Sequence, residues 1–201
     1  MKVVGSLLTP VEWGLNRLAV AAAPQRNLQG FVLACVTVGG DCETFFTKCS
    51  EALALMRTVA PRRFHRMQRD VRIVGLSSRG ASYYERLLKA IFLDVDVLKS
   101  DVPAIAATIV HEATHARLHR SRVRAYSAER DRHERICIAA EIDFASRLPD
   151  SADLVARLRR SAENPWWNEA GRRAQITRVV ERHHLPSWLE RLLVRFGAGL
   201  R

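Results

Sequence analysis

Apolar residues recur at helical spacing over much of this chain and switch to strand-like spacing only near its middle. Thr9-Pro10-Val11-Glu12 reads as a capping box with proline at the first helical position, predicting a helix to about Ala22 that stops before Pro24. Asn27 to Val38 is apolar and reads as either a buried helix or a strand, ended by Gly39-Gly40. Asp41 then caps a helix on which Phe45, Cys49, Leu53 and Met56 share a face. Pro61 and the basic run Arg62 to Arg69 read as a linker. Asp70 to Leu76, with β-branched Val71, Ile73 and Val74, predicts a strand, and Ser77 to Ser82 a turn.

From Ala90 to Leu98, Ile91, Leu93, Val95 and Val97 alternate with Phe92, Asp94 and Asp96, the pattern of a strand with one buried and one polar face. Two readings stand: an edge strand guarded by its charges, or an edge open to pairing with an extended peptide. Ser100 or Asp101 caps the next helix, with Pro103 in its first turn and an end near Ser121. Glu129 to Leu148 repeats Ile136, Ala140, Phe144 and Leu148 every four residues, and Pro149 stops it. A helix over Asp153 to Arg160 follows, then one opened by Asn164-Pro165, a turn at His183-His184-Leu185-Pro186, and a short helix from Trp188 to Phe196. The pattern predicts a mostly helical α+β fold, with residues 1–60 a helical packing layer and residues 61–201 the larger unit that carries the sheet.

The helix opened by Ser100 or Asp101 contains His111-Glu112-Ala113-Thr114-His115, an HExxH pattern. Residues four apart on a helix differ by about 40° of rotation and one turn of rise, so His111 and His115 point the same way. Two imidazole nitrogens then face one metal ion. Tetrahedral zinc takes such nitrogens at about 2.0–2.1 Å and keeps a position for water, whose pKa it lowers towards neutrality. Glu112, about 100° round the helix, is placed to take the proton. His119 continues the spacing but lies about 12 Å along the axis from His111, too far to share an ion, and reads as a surface residue.

Composition changes this picture in two ways. The formal net charge is +11, and of 32 basic residues only Lys2, Lys48, Lys89 and Lys99 are lysines. Arginines spread over exposed helix faces account for this; an electropositive surface for nucleic acid or anionic lipid is the sharper alternative. No RNA-binding aromatic, zinc-finger or glycine-rich pattern accompanies the densest run, Arg57 to Arg79, so nucleic acid is an unlikely partner. Cys35, Cys42, Cys49 and Cys137 have no CxxC spacing and read as reduced, buried, small apolar residues. With no signal-peptide pattern, and a longest apolar run, Phe31 to Val38, too short for a bilayer, the expected location is cytoplasmic, with peripheral contact to an anionic membrane left open.

Two histidines need a third protein ligand. With Glu134 nineteen residues beyond His115, on the following helix, the segment from about Ala90 to Leu148 resembles the gluzincin branch of the zincin metallopeptidases. The resemblance implies a zincin-like domain with a small β-sheet packed against the HExxH helix. It also implies zinc held by His111, His115 and Glu134, with Glu112 as general base. His133 stands where larger gluzincins often have asparagine, and their Gly-Ala-Met-Glu-Asn segment is missing, so recognition of a substrate's N-terminal amine is not implied. Glu141, two turns on and on nearly the same face, is the alternative ligand; the glutamate not used would orient a histidine ring. A hydrogen-bond donor to the developing oxyanion is sought among His183, His184, Tyr126 and Tyr83, with His183 the first choice. The function so implied is zinc-dependent hydrolysis of a peptide or protein substrate. Its rivals are a zinc-binding scaffold with weak catalysis, and an arginine-rich protein binding nucleic acid or anionic membrane.

Overall fold

The computed structural model describes residues 14–37, 41–78, 80–121 and 130–163, with 171, 176, 177, 180 and 181. Helix α1 occupies residues 14–22. A hairpin follows, β1 (Gln25–Leu28) and β2 (Phe31–Cys35), turning at Gln29 and Gly30, both with positive φ. This resolves the apolar stretch after Pro24 as strands. Helices α2 (Cys42–Val59) and α3 (Pro61–Asp70) lead to β3 (Ile73–Ser77). Then come β4 (Tyr83–Glu85), β5 (Ala90–Asp94) and a 3-10 turn over Val95–Lys99. Helices α4 (Val102–Arg120), α5 (Arg130–Ala145) and α6 (Ala152–Glu163) follow, and the described residues beyond them, 171, 176, 177, 180 and 181, are helical. The fold is mixed α+β and mostly helical.

The sheet order is β1-β2-β3-β5-β4, with β2, β3 and β5 parallel and the two outer strands antiparallel to their neighbours. The parallel β2–β3 pair requires a crossover, and α2 with α3 supplies it. Strand alternation divides the apolar side chains between two faces. Leu33, Val74, Leu76, Ile91 and Leu93 pack with α2 and α4 in the main core. Ala34, Ala90 and Phe92 turn to the other face, where Val20 of α1 and Tyr83 cover them. Gly75, paired with Phe92 across the parallel strands, leaves room for that ring: a Cβ there would stand 2.6 Å from it.

Three expectations are corrected. The basic run after Pro61 is helix α3, not a linker. Phe64 and Met67 are buried while Arg62, Arg66 and Arg69 stay exposed, so a basic sequence still presents an apolar stripe. The strand near the motif helix is not an edge. β5 is interior and all five residues are buried, because both of its faces meet an apolar layer. Its acids serve the neighbouring turns: the carboxylate of Asp94, the last strand residue, accepts from the amides of Gly80 before β4 (2.6 Å) and of Asp96 in the 3-10 turn after β5 (3.1 Å). The edge next to it is β4. Finally, the first sixty residues are not purely helical, since β1 and β2 join the sheet formed by β3 to β5.

Cys35 and Cys42 form a disulfide between the end of β2 and the start of α2, which overturns the reading of all four cysteines as reduced. Cys49 and Cys137 are free and buried. No helix among the described residues is long and apolar enough to cross a membrane.

Several contacts fix α4 in place. Asp101 caps it by accepting from the Ala104 amide at 3.0 Å. Lys48 Nζ of α2 donates to the carbonyls of Leu98 and Ser100 just before it, at 2.7 and 2.9 Å. At its far end Arg120 binds the buried Asp70 of α3 at 2.9 Å. α4 packs on α2, α3, α5 and the strands β4 and β5.

Candidate metal centre

Helix α4 is apolar almost all round: Ile105, Ala106, Ile109, Val110, Ala116 and Leu118 are buried beside the buried His111, Glu112 and Thr114. A helix enclosed in this way places polar side chains where water does not satisfy them, so each needs a partner. The partners come from α5, which lies along α4. Glu134, Cys137 and Glu141, at i, i+3 and i+7, share one face of that helix.

Glu134 Oε2 lies 3.4 Å from His111 Nε2 and 3.5 Å from His115 Nε2. These are long for hydrogen bonds, but two donors each about 2.0–2.1 Å from one tetrahedral ion stand about 3.3 Å apart. The two rings lie 5.1 Å apart, inclined at 62°. His111 Nδ1 donates to Glu141 Oε2 at 3.1 Å; in the neutral ring this leaves the lone pair on Nε2, the nitrogen that faces Glu134. Glu141 is thereby placed behind the ring and Glu134 in front of it. His111 Nε2 is buried with no hydrogen-bond partner among the described residues.

A third donor on α5 was not foreseen from the sequence. Cys137 Sγ joins the ring nitrogens of His111 and His115 in a group whose atoms all lie within 4.8 Å of one another, an arrangement able to hold a metal ion. Its signal was the spacing: Cys137 falls one turn after Glu134 and one turn before Glu141. The contacts of Glu134 are the tighter evidence, since they lie at the separation expected of co-ligands, whereas 4.8 Å is only an outer bound for the sulfur.

The electrostatics follow from crowding five ionisable groups into a dry space. Burial works against a charge on His111, but the carboxylates of Glu134, Glu141 and Glu112 outweigh it and hold the imidazolium up to about 10. Burial opposes the charge on Glu134 too, yet its contacts with His111 and His115 keep the carboxyl down at about 2. Glu112 is raised by burial, with the two histidines opposing and the other glutamates adding to the rise. The acids around His111 thus call for one positive charge at this point, and a metal ion held by Nε2 would take the place of the proton there. His115 keeps 22% of its side chain exposed against 7% for His111 and Glu134, so solvent reaches the group from the His115 side.

Among the proposed oxyanion donors, Tyr83 stacks on Phe92 at 5.2 Å on the sheet face away from α4, and so is not brought to the histidines. It is Tyr84 that turns towards α4, its ring 5.9 Å from that of His119, and its hydroxyl donates to the Asp70 carbonyl. His119 is exposed, as its position along the helix implied. His183, His184 and Tyr126, and the helix expected from Trp188 to Phe196, lie outside the described residues; of the helix expected from Asn164, residues 171, 176, 177, 180 and 181 are described and are helical. No protein-family model, curated protein or solved structure matches this chain.

Proposed function

We propose that the protein is a zinc-dependent peptidase of the zincin type, with His111, His115 and Glu134 as metal ligands and Glu112 as general base. The observation that carries this reading is the pair of distances from one Glu134 oxygen to the two Nε2 atoms, 3.4 and 3.5 Å, the edge length of a tetrahedral coordination shell. Zinc at that point would polarise a scissile carbonyl and acidify a water. The protein's own groups supply the rest. Glu141 holds the His111 ring in the tautomer that presents Nε2. Glu112 is buried and its proton affinity is raised, as suits a carboxylate that must accept a proton near neutral pH. As the water oxygen bonds to the carbonyl carbon, Glu112 takes the proton, and it returns that proton to the amine nitrogen as the C–N bond breaks.

The edge strand β4, half-buried and packed on α4, is where an extended peptide would align by strand addition. This function moves from β5 to β4 because β5 is interior.

Cys137 favours a second reading. A thiolate added to the two histidines and Glu134 would complete four protein ligands, and a closed site holds zinc without catalysis. The test is cleavage of a peptide library by zinc-loaded protein, read by mass spectrometry, against Glu112→Gln at equal zinc content. The peptidase reading predicts defined cleavage that falls at least a hundredfold in the variant. Cleavage that persists in Glu112→Gln removes the mechanism, and zinc-replete protein that cleaves nothing favours the closed site.

A further inference from the structure

A cleft of about 490 Å³ lies between α2, α3 and α4, and neither the histidine pair, Glu112 nor Glu134 lines it. Five guanidinium groups do: Arg62, Arg63 and Arg66 from α3, Arg117 from α4, and Arg147 just beyond α5. Its floor is apolar, made by Met56, Val59, Met67, Val110 and Ala113. Asp70, the one carboxylate among the described lining residues, is bound to Arg120. Asp143 is shared by Arg63 and Arg147. Arg62, Arg66 and Arg117 are exposed and have no acidic partner among the described residues. Arg62 and Arg66 stand at i and i+4, where like charges repel, and the Arg66 Nε–H donates to the Arg62 carbonyl at 3.2 Å. Cations from two helices thus surround an apolar hollow with little to neutralise them.

We propose that this cleft binds a small phosphorylated organic molecule, its phosphates on Arg62, Arg66 and Arg117 and its apolar body on the Met56–Val110 floor. The volume is that of a small-molecule site. The guanidinium fork matches phosphate oxygens. Among the described residues no aromatic side chain lines the cleft, so they offer no stacking platform for single-stranded nucleic acid. No strand borders it, so an acidic peptide finds no backbone edge to pair with. Ala113 and Thr114 line the cleft from within the HExxH segment itself, which puts the bound molecule on the flank of the metal-binding helix.

The test is titration calorimetry of the full chain in magnesium-free buffer at about 0.15 M salt, with ATP, inorganic tripolyphosphate, hexaglutamate and a single-stranded oligonucleotide as probes. ATP is expected to bind one per chain and more tightly than tripolyphosphate, with affinity falling as salt rises. Arg62→Gln, Arg66→Gln and Arg117→Gln each weaken it roughly tenfold or more, the loss of a charge-assisted hydrogen bond. Arg135→Gln, on α5 and outside the cleft, leaves it unchanged. The readout is binding and not cleavage, so the outcome does not depend on whether the metal centre is catalytic. The proposal fails if ATP does not saturate, if Arg135→Gln weakens binding as much as Arg117→Gln, or if tripolyphosphate, hexaglutamate or the oligonucleotide binds more tightly than ATP.

Discussion

Glu134 and Glu141 are one residue type on one face of one helix, and their surroundings give them different work. Glu134 meets both Nε2 atoms, while Glu141 meets only the Nδ1 of His111. The sequence left them as alternatives because a spacing of seven residues on α5 cannot say how that helix is set along α4. The distances separate them. Removing the carboxylate behind the ring should cost affinity without removing a ligand. Glu141→Gln is therefore expected to weaken zinc binding 10–100-fold, measured by competition with a chromophoric chelator, while still reaching one zinc per chain at saturation. Unchanged affinity would mean that Glu141 does not set the ring. Cys137 shows the opposite limit of sequence reading. A lone cysteine between two glutamates looks like a small apolar residue until α4 is laid against it.

At the scale of elements, the strongly periodic helices and the strands β3 and β5 were legible, while β1 and β2 were left open between helix and strand and β4 and α3 were missed. The face of α2 with Phe45, Cys49, Leu53 and Met56 is buried as its spacing required, and α4 ends at Arg120, capped by Ser121, close to where the pattern placed its end. α3 was read as a linker because charge masked a two-residue apolar stripe, Phe64 and Met67. β5 was read as an edge because acids fell on alternate positions, yet Asp94 serves the turns on either side of the β4–β5 pair and Asp96 lies beyond the strand. Neither error could be removed locally, since both depend on what covers each face of the sheet. Gly75 marks how tight that cover is. Gly75→Ala is expected to destabilise the protein by about 1–3 kcal/mol in urea or guanidinium unfolding, because Phe92 must move from the position a Cβ would enter. A loss below about 0.5 kcal/mol would show that the ring relaxes freely.

Across the whole molecule, the sheet joins the stretch before residue 60 to the stretch after it, through the parallel pairing of β2 with β3. The disulfide Cys35–Cys42 closes the base of that pairing onto α2. Burial pushes the Cys49 thiol up to about 12 and raises Cys137 as well. A thiol reagent at pH 8 is accordingly expected to find no reactive cysteine in the folded protein, two after denaturation, and four after reduction; four without reduction would remove the disulfide.

The claim on which the functional account turns is that one ion sits among His111, His115 and Glu134 with a position left for water. X-ray absorption spectroscopy at the zinc edge of the zinc-loaded protein tests it most directly. The account predicts two imidazoles and oxygen donors at about 2.0–2.1 Å and no sulfur. A sulfur shell at about 2.3 Å would place Cys137 on the metal and close the site, and failure to bind stoichiometric zinc would remove the centre altogether.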